Sequence, residues 1–181
     1  MSRIQFILSL LLLSLSVYPT EVSHKNFRIT SGKIIFLSDA PQEKIKGIGK
    51  KISGSASLES KKVSISIDLR DWRTSNKLQT SHLHENYLET EKFPIAEFRG
   101  EIESFDSASG KINMKGIMKI HGEEKQNTRI SGVLSNQGSE YLFQSDFQID
   151  LNDYKIEVPK LLILKLNNIV DLHTEIVLTG E

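Results

Sequence analysis

Beyond residue 23 the chain is dominated by apolar and polar residues that alternate with a period of two. Residues 62–70 set Val63, Ile65, Ile67 and Leu69 on one face and Ser64, Ser66 and Asp68 on the other. Strict alternation of this kind marks a half-buried strand. It recurs as Ala96, Phe98, Gly100 and Ile102 against Glu97, Arg99, Glu101 and Glu103, and as Ile112, Met114, Gly116, Met118 and Ile120 against Asn113, Lys115 and Lys119. Tyr141, Phe143, Phe147 and Ile149 oppose Gln144, Asp146, Gln148 and Asp150, and the last run sets Val170, Leu172, Ile176 and Leu178 against Asp171, His173 and Glu175. Weaker strands fall at residues 27–37, 44–58 and 125–135. Turn signals such as Ser38-Asp39-Ala40-Pro41, Ser107-Ala108-Ser109-Gly110 and Ser135-Asn136-Gln137-Gly138 separate the runs. The pattern predicts an all-β fold, an antiparallel barrel of about eight strands.

One segment departs from period two. Residues 75–91 are rich in helix formers and lack Gly and Pro, with Leu83 and Tyr87 four apart and Pro94 as a stop. Ser75 or Asn76 supplies an N-cap. A single short helix is therefore expected between the third and fourth strands. Residues 152–168, which include Pro159 and the apolar run 161–164, fit neither pattern and read as a long loop or a bent strand.

The apolar faces combine into one inward set: Ile34, Phe36, Ile48, Ile52, Val63, Ile65, Ile67, Phe98, Ile102, Met114, Met118, Ile120, Phe143, Phe147, Leu172 and Ile176. No Lys, Arg, Asp or Glu falls on these faces within the clear strands. A charge-free lumen supplies neither acid–base pairs nor metal ligands. It either fills itself with side chains or encloses an apolar ligand. The small inward residues Ala56, Ala96, Gly100 and Gly116 lean toward free space, although glycine also lets a sheet coil.

The N-terminus changes the picture. Arg3 precedes an apolar stretch from Ile4 to Leu15, followed by a more polar segment. That is the layout of a secretory leader, and about a dozen apolar residues fall short of the roughly 20 that cross a bilayer. A leader over residues 1–23 and a domain over 24–181 are expected, with cleavage sites from Ser14-Leu15-Ser16 onward. Once the leader is removed, no stable membrane span is expected. Lys plus Arg and Asp plus Glu both number 23 and cysteine is absent. Charge balance removes the basic surplus that nucleic acid or an anionic membrane would select. The lack of cysteine removes disulfides, thiol chemistry and lipidation at a cysteine. Export without cysteine fits a bacterial envelope, periplasmic or secreted.

Chemistry-bearing clusters are few. His82 and His84 on a helix point about 200° apart and cannot face one ion. Glu85 and Glu89 share a face that reads as solvated surface. His121 before Gly122 reads as a turn residue with local hydrogen bonds, and His173 lies on an outward face. No G-x-S-x-G, H-E-x-x-H or phosphate loop is present. No catalytic residue, metal site or cofactor is expected.

Several motifs carry a family resemblance. His82-Leu83 precedes Tyr87-Leu88-Glu89-Thr90-Glu91-Lys92-Phe93-Pro94, which leads into Ala96-Glu97-Phe98-Arg99-Gly100. This resembles the central signature of the YceI-like family. Lys115-Gly116-Ile117-Met118-Lys119-Ile120-His121-Gly122 is similar to a second motif of that family. Phe147 to Val158, followed by Pro159, is similar to its late strand and corner. The resemblance spans roughly residues 26–179. It implies a lipocalin-like antiparallel barrel of about eight strands with a helix at one end. It also implies an exported protein that binds a polyisoprenoid or similar long amphiphile. Many relatives carry an Arg-Asp pair before the His-Leu, where this chain has Gln79-Thr80.

The pattern and the resemblance together point to an apolar lipid, a polyisoprenoid or fatty-acyl chain, carried or stored in the lumen. Phe36, Ile67, Phe98, Met118, Phe143 and Leu172 are the expected ligand contacts, and the helix bearing His82, Leu83 and Tyr87 the expected lid. The alternative is a non-enzymatic structural or interaction module whose barrel is filled. A barrel enzyme ranks last, because the inward set offers no polar group. The oligomeric state is left open, a dimer included.

Overall fold

The computed structural model describes residues 24–39, 44–157 and 167–181. The leader region and the run 161–164 lie outside the described residues. The described residues form ten strands: β1 (Asn26–Asp39), β2 (Lys44–Gly49), β3 (Ile52–Ser57), β4 (Lys62–Asp68), β5 (Arg73–Thr74), β6 (Ile95–Phe105), β7 (Lys111–Ile120), β8 (Glu123–Asn136), β9 (Tyr141–Asp150) and β10 (Ile169–Gly180). One helix, α1 (Lys77–His82), precedes β6.

All strand pairings are antiparallel, in the order β10-β9-β8-β7-β6-β4-β3-β1, and β1 pairs with β10 to close the ring. The result is an eight-stranded barrel, with β2 and β5 as an extension at one end. Closure pairs β1 with β10 along most of their length, so neither is left as a long free edge. The core is the inner face of the ring, where Phe98, Ile102, Met114, Met118, Ile176 and their neighbours are buried.

The expected strand 44–58 is broken into β2 and β3. Lys50 and Lys51 turn their amides to Asp71 Oδ2, at 2.6 and 3.0 Å, and leave the ladder there. Before the break Ile45, Gly47 and Gly49 face inward; after it Ile52 and Ala56 do. β1 carries a bulge between Ile29 and Ser31 at the same level, and its inward residues shift from Phe27 and Ile29 to Ile34 and Phe36. Two slips of one residue, side by side, keep both strands' apolar faces toward the lumen. Ile48, expected inside, is therefore turned outward.

The break also moves the helix in the strand order. α1 falls within the expected residues but follows the fifth strand, not the third, because β2, β3 and β5 are separate. It is shorter than expected as well. Asn76 caps it, its side chain accepting the Gln79 amide at 2.9 Å. At Leu83 the helix loosens into a single π turn (Leu83–Tyr87), and Leu88 N–H donates to Leu83 O at 2.9 Å.

β8 and β9 share a ladder only from Val133↔Gln144 to Asn136↔Tyr141. Beyond it β8 carries a bulge against β7, with Asn127 at φ +59°. A bulge bends its strand and increases the local twist. The gap is filled by a 3-10 turn after β9 (Leu151–Tyr154), whose Leu151 and Tyr154 are buried, and by Ile156. Lys125 pairs with Asp153, and Lys155 Nζ lies 2.9 Å from Glu123 Oε1, so ion pairs lace the outside of this seam.

Candidate functional site

The described residues enclose two apolar chambers within the barrel, one above the other. The upper one, at the helix end, has a volume of about 90 Å³. Its wall takes Ile34 and Phe36 from β1, Ile67 from β4, Ala96 from β6, Met118 and Ile120 from β7, Phe147 and Ile149 from β9, and Val170 and Leu172 from β10. Its roof comes from outside the barrel strands: Leu69 and Trp72 after β4, Leu83, Tyr87 and Leu88 from the helix and π turn, Leu151 and Ile156 after β9. The lower chamber, about 40 Å³, lies among Phe27, Ala56, Val63, Ile102, Met114, Phe143 and Ile176. Among the described residues no charged side chain lines either chamber.

These volumes set a limit. An engineered apolar cavity of about 150 Å³ takes up benzene. The upper chamber at about 90 Å³ is smaller, so a long chain enters only if side chains or the roof move. Met118, unbranched and adaptable, and the roof residues are the movable part of the lining.

Phe36 and Trp72 stack at the top, ring centroids 5.5 Å apart and planes 19° apart. Gly47 and Gly49 make the stack fit. A Cβ on Gly47 would lie 2.1 Å from the Phe36 ring, and one on Gly49 2.5 Å from Trp72 Nε1. The indole N–H is buried and has no hydrogen-bond partner among the described residues.

Polar contacts tie the roof down. Thr80 Oγ1 accepts the Thr74 amide at 3.0 Å, and the His84 ring nitrogen Nε2 lies 2.8 Å from Trp72 O. Thr80 thus has a structural use at the place where the resemblance departs. At the far side of the roof His121 is not the locally bonded turn residue expected from sequence. His121 (φ +53°) and Gly122 (φ +80°) form the tight β7–β8 turn. His121 Nε2 lies 2.6 Å from Glu89 Oε2, and its ring lies 4.4 Å from that of Phe93. It clamps the hairpin to the turn that follows the helix.

The expected contacts are brought together only in part. Phe36, Ile67, Met118 and Leu172 line the upper chamber; Phe143 lines the lower one; Phe98 lines neither. In the expected lid, Leu83 and Tyr87 are buried facing the chamber, while His82 is half-buried at its margin. Trp72, Leu69, Leu88, Leu151 and Ile156 were not among the expected contacts. The single Trp of the chain, placed just after a strong alternating run, was a further signal that could have marked the roof. His173 faces outward and pairs with Asp146. Among the described residues no three His, Asp or Glu side chains are placed to hold a metal ion, and no helix is long and apolar enough to cross a membrane.

A closed antiparallel barrel with an apolar, end-roofed interior is the class of protein that these features define. The chain belongs to the YceI-like domain family, which matches residues 18–178. Its fold is similar to that of a polyisoprenoid-binding domain of Saccharophagus degradans implicated in plant cell wall breakdown, with TM-score 0.71 and 13% identity, covering 86% of this chain and 98% of that one. It is also similar to BcnA of Burkholderia cenocepacia, with TM-score 0.68 and 15% identity, covering 81% and 95%. The Campylobacter jejuni YceI protein matches with TM-score 0.55 and 15% identity over 100% and 99% of the two chains. No curated protein matches the chain.

Proposed function

We propose that this chain is a non-enzymatic envelope protein, exported behind the leader of residues 1–23, that carries or stores a polyisoprenoid or fatty-acyl lipid in its barrel. The observation that carries the reading is the upper chamber, whose lining among the described residues is apolar and uncharged and whose roof is separate from the barrel strands. Burying an alkyl or isoprenoid chain there gains about 25 cal/mol per Å² of apolar surface. An ionised group would find no partner in that lining and is excluded from it. The relative from Saccharophagus degradans, described as polyisoprenoid-binding, supports the same class of ligand. The chain enters by lifting α1 and the π turn, which side-chain contacts at Thr80 and His84 hold in place.

The small volumes, about 90 and 40 Å³, favour a second reading: a filled barrel whose outer face serves as an interaction or structural module. Native mass spectrometry and lipid extraction of protein purified from its own envelope separate the two. The carrier reading predicts a co-purifying lipid, or uptake of a prenyl alcohol by the stripped protein. Absence of both would leave the filled barrel.

A further inference from the structure

Along β1, β6, β7, β9 and β10 the inward side chains pass from one chamber to the other, and at one level they belong to neither. On β6 Ala96 lines the upper chamber and Ile102 the lower, with Phe98 and Gly100 between them. On β10 Leu172 lines the upper and Ile176 the lower, with Thr174 between. Phe98 stands directly opposite Ile65 of the lower chamber on one side and Met118 of the upper chamber on the other. It is among the most deeply buried side chains, 1% exposed. Around it the level is poor in side chains: Gly100 pairs with Gly116 across β6 and β7, and Gly32 lies on β1. Phe98 thus places one aromatic ring between two cavities of the same apolar character, at a level where Gly100, Gly116 and Gly32 add no side chain.

We propose that Phe98 is the stop that sets how deep an apolar chain penetrates the barrel, and so the longest chain segment that gains affinity. This rests on the lipid-binding reading and deepens it: the native site selects the terminal segment of a chain, held in the upper chamber, with the remainder toward the roof. The lower chamber is reserve volume that the ring closes off. Reaching it requires the ring to leave a site where it is packed on both sides.

The test uses the purified full-length chain and a prenyl alcohol series, geraniol, farnesol and geranylgeraniol, followed by the emission of Trp72, which lines the upper chamber. In the native protein affinity should rise along the first members and then level off. In Phe98→Ala each further isoprene unit should keep tightening binding by at least about tenfold, because five more buried carbons reach the lower chamber. Phe98→Leu, a milder change, should show the same trend if the alanine variant folds poorly. Ala56→Leu, which narrows the lower chamber, should remove the gain when added to either variant. A length dependence identical in native and variant proteins would overturn the role of Phe98 while leaving lipid binding intact. So would native affinity that climbs through the whole series. Failure of every alcohol to bind any of the proteins would overturn the lipid-binding reading and this inference with it.

Discussion

Tyr154 offers a quantitative test of how the β8–β9 seam is sealed. Its side chain is 1% exposed, at the end of the 3-10 turn that fills the wedge between the two strands. Burial, and then the charge of neighbouring Asp153, push its pKa from 10.0 up to about 12, while a hydrogen bond with the Thr128 side chain acts the other way. The folded state therefore keeps the phenol neutral where the unfolded chain ionises it. The stabilisation is fully present below the unfolded value of 10.0 and is lost as pH rises toward about 12. Two pK units correspond to about 2.7 kcal/mol in all, of which about 1.4 kcal/mol is lost by pH 11. Tyr154→Phe keeps the ring and removes the titration. At neutral pH it should cost about 1 kcal/mol through the lost hydrogen bond. At about pH 11 the variant should match or exceed the native protein. Urea unfolding followed by far-UV circular dichroism at both pH values measures the difference, in which the other titrating groups cancel. An unchanged gap between the two proteins at both pH values would refute the argument.

Three further outcomes follow from the geometry. Gly116→Ala would bring a Cβ to 2.2 Å from Arg99 O and 2.6 Å from Gly100 Cα. Backbone cannot yield as a side chain does, so a loss of about 2–3 kcal/mol in denaturant unfolding is expected. Asp71→Ala strips the amides of Lys50 and Lys51 of their acceptor. It should cost about 2 kcal/mol and raise amide hydrogen exchange locally at the β2–β3 break. Thr174 is buried in the lumen, and its hydroxyl has no partner among the described residues. Thr174→Val should stabilise the barrel by about 1 kcal/mol, read as a rise in the urea midpoint, and a fall would show that the hydroxyl is satisfied.

The barrel was legible wherever apolar side chains mark the inward face. Val63, Ile65 and Ile67 on β4, or Met114, Met118 and Ile120 on β7, repeat with period two and reach the core as expected. β2 misled because two of its three inward positions are Gly47 and Gly49, which carry no apolar signal, so Ile48 was placed inside instead. The glycines are inward because Phe36 and Trp72 occupy the space in front of them. The roof was only half legible. Leu83 and Tyr87 repeat at helical spacing, but Leu69, Trp72, Leu151 and Ile156 sit in irregular turns, where no period links residue to direction. The division of the lumen could not be read at all. Phe98 alternates like its neighbours, and only the register that sets it between Ile65 and Met118 makes it a partition.

The central claim, that the barrel lumen takes an apolar chain, is tested most directly by contacts between ligand and protein in solution. Isotope-filtered NMR of the methyl-labelled protein with an unlabelled prenyl alcohol reports which methyl groups lie against the chain. Cross-peaks are expected to Met118, Leu172 and Ile67 in the upper chamber, and to Leu83 in the roof. Cross-peaks confined to exposed residues such as Leu78, Val133 and Ile169 would place the chain on the outer surface and contradict it.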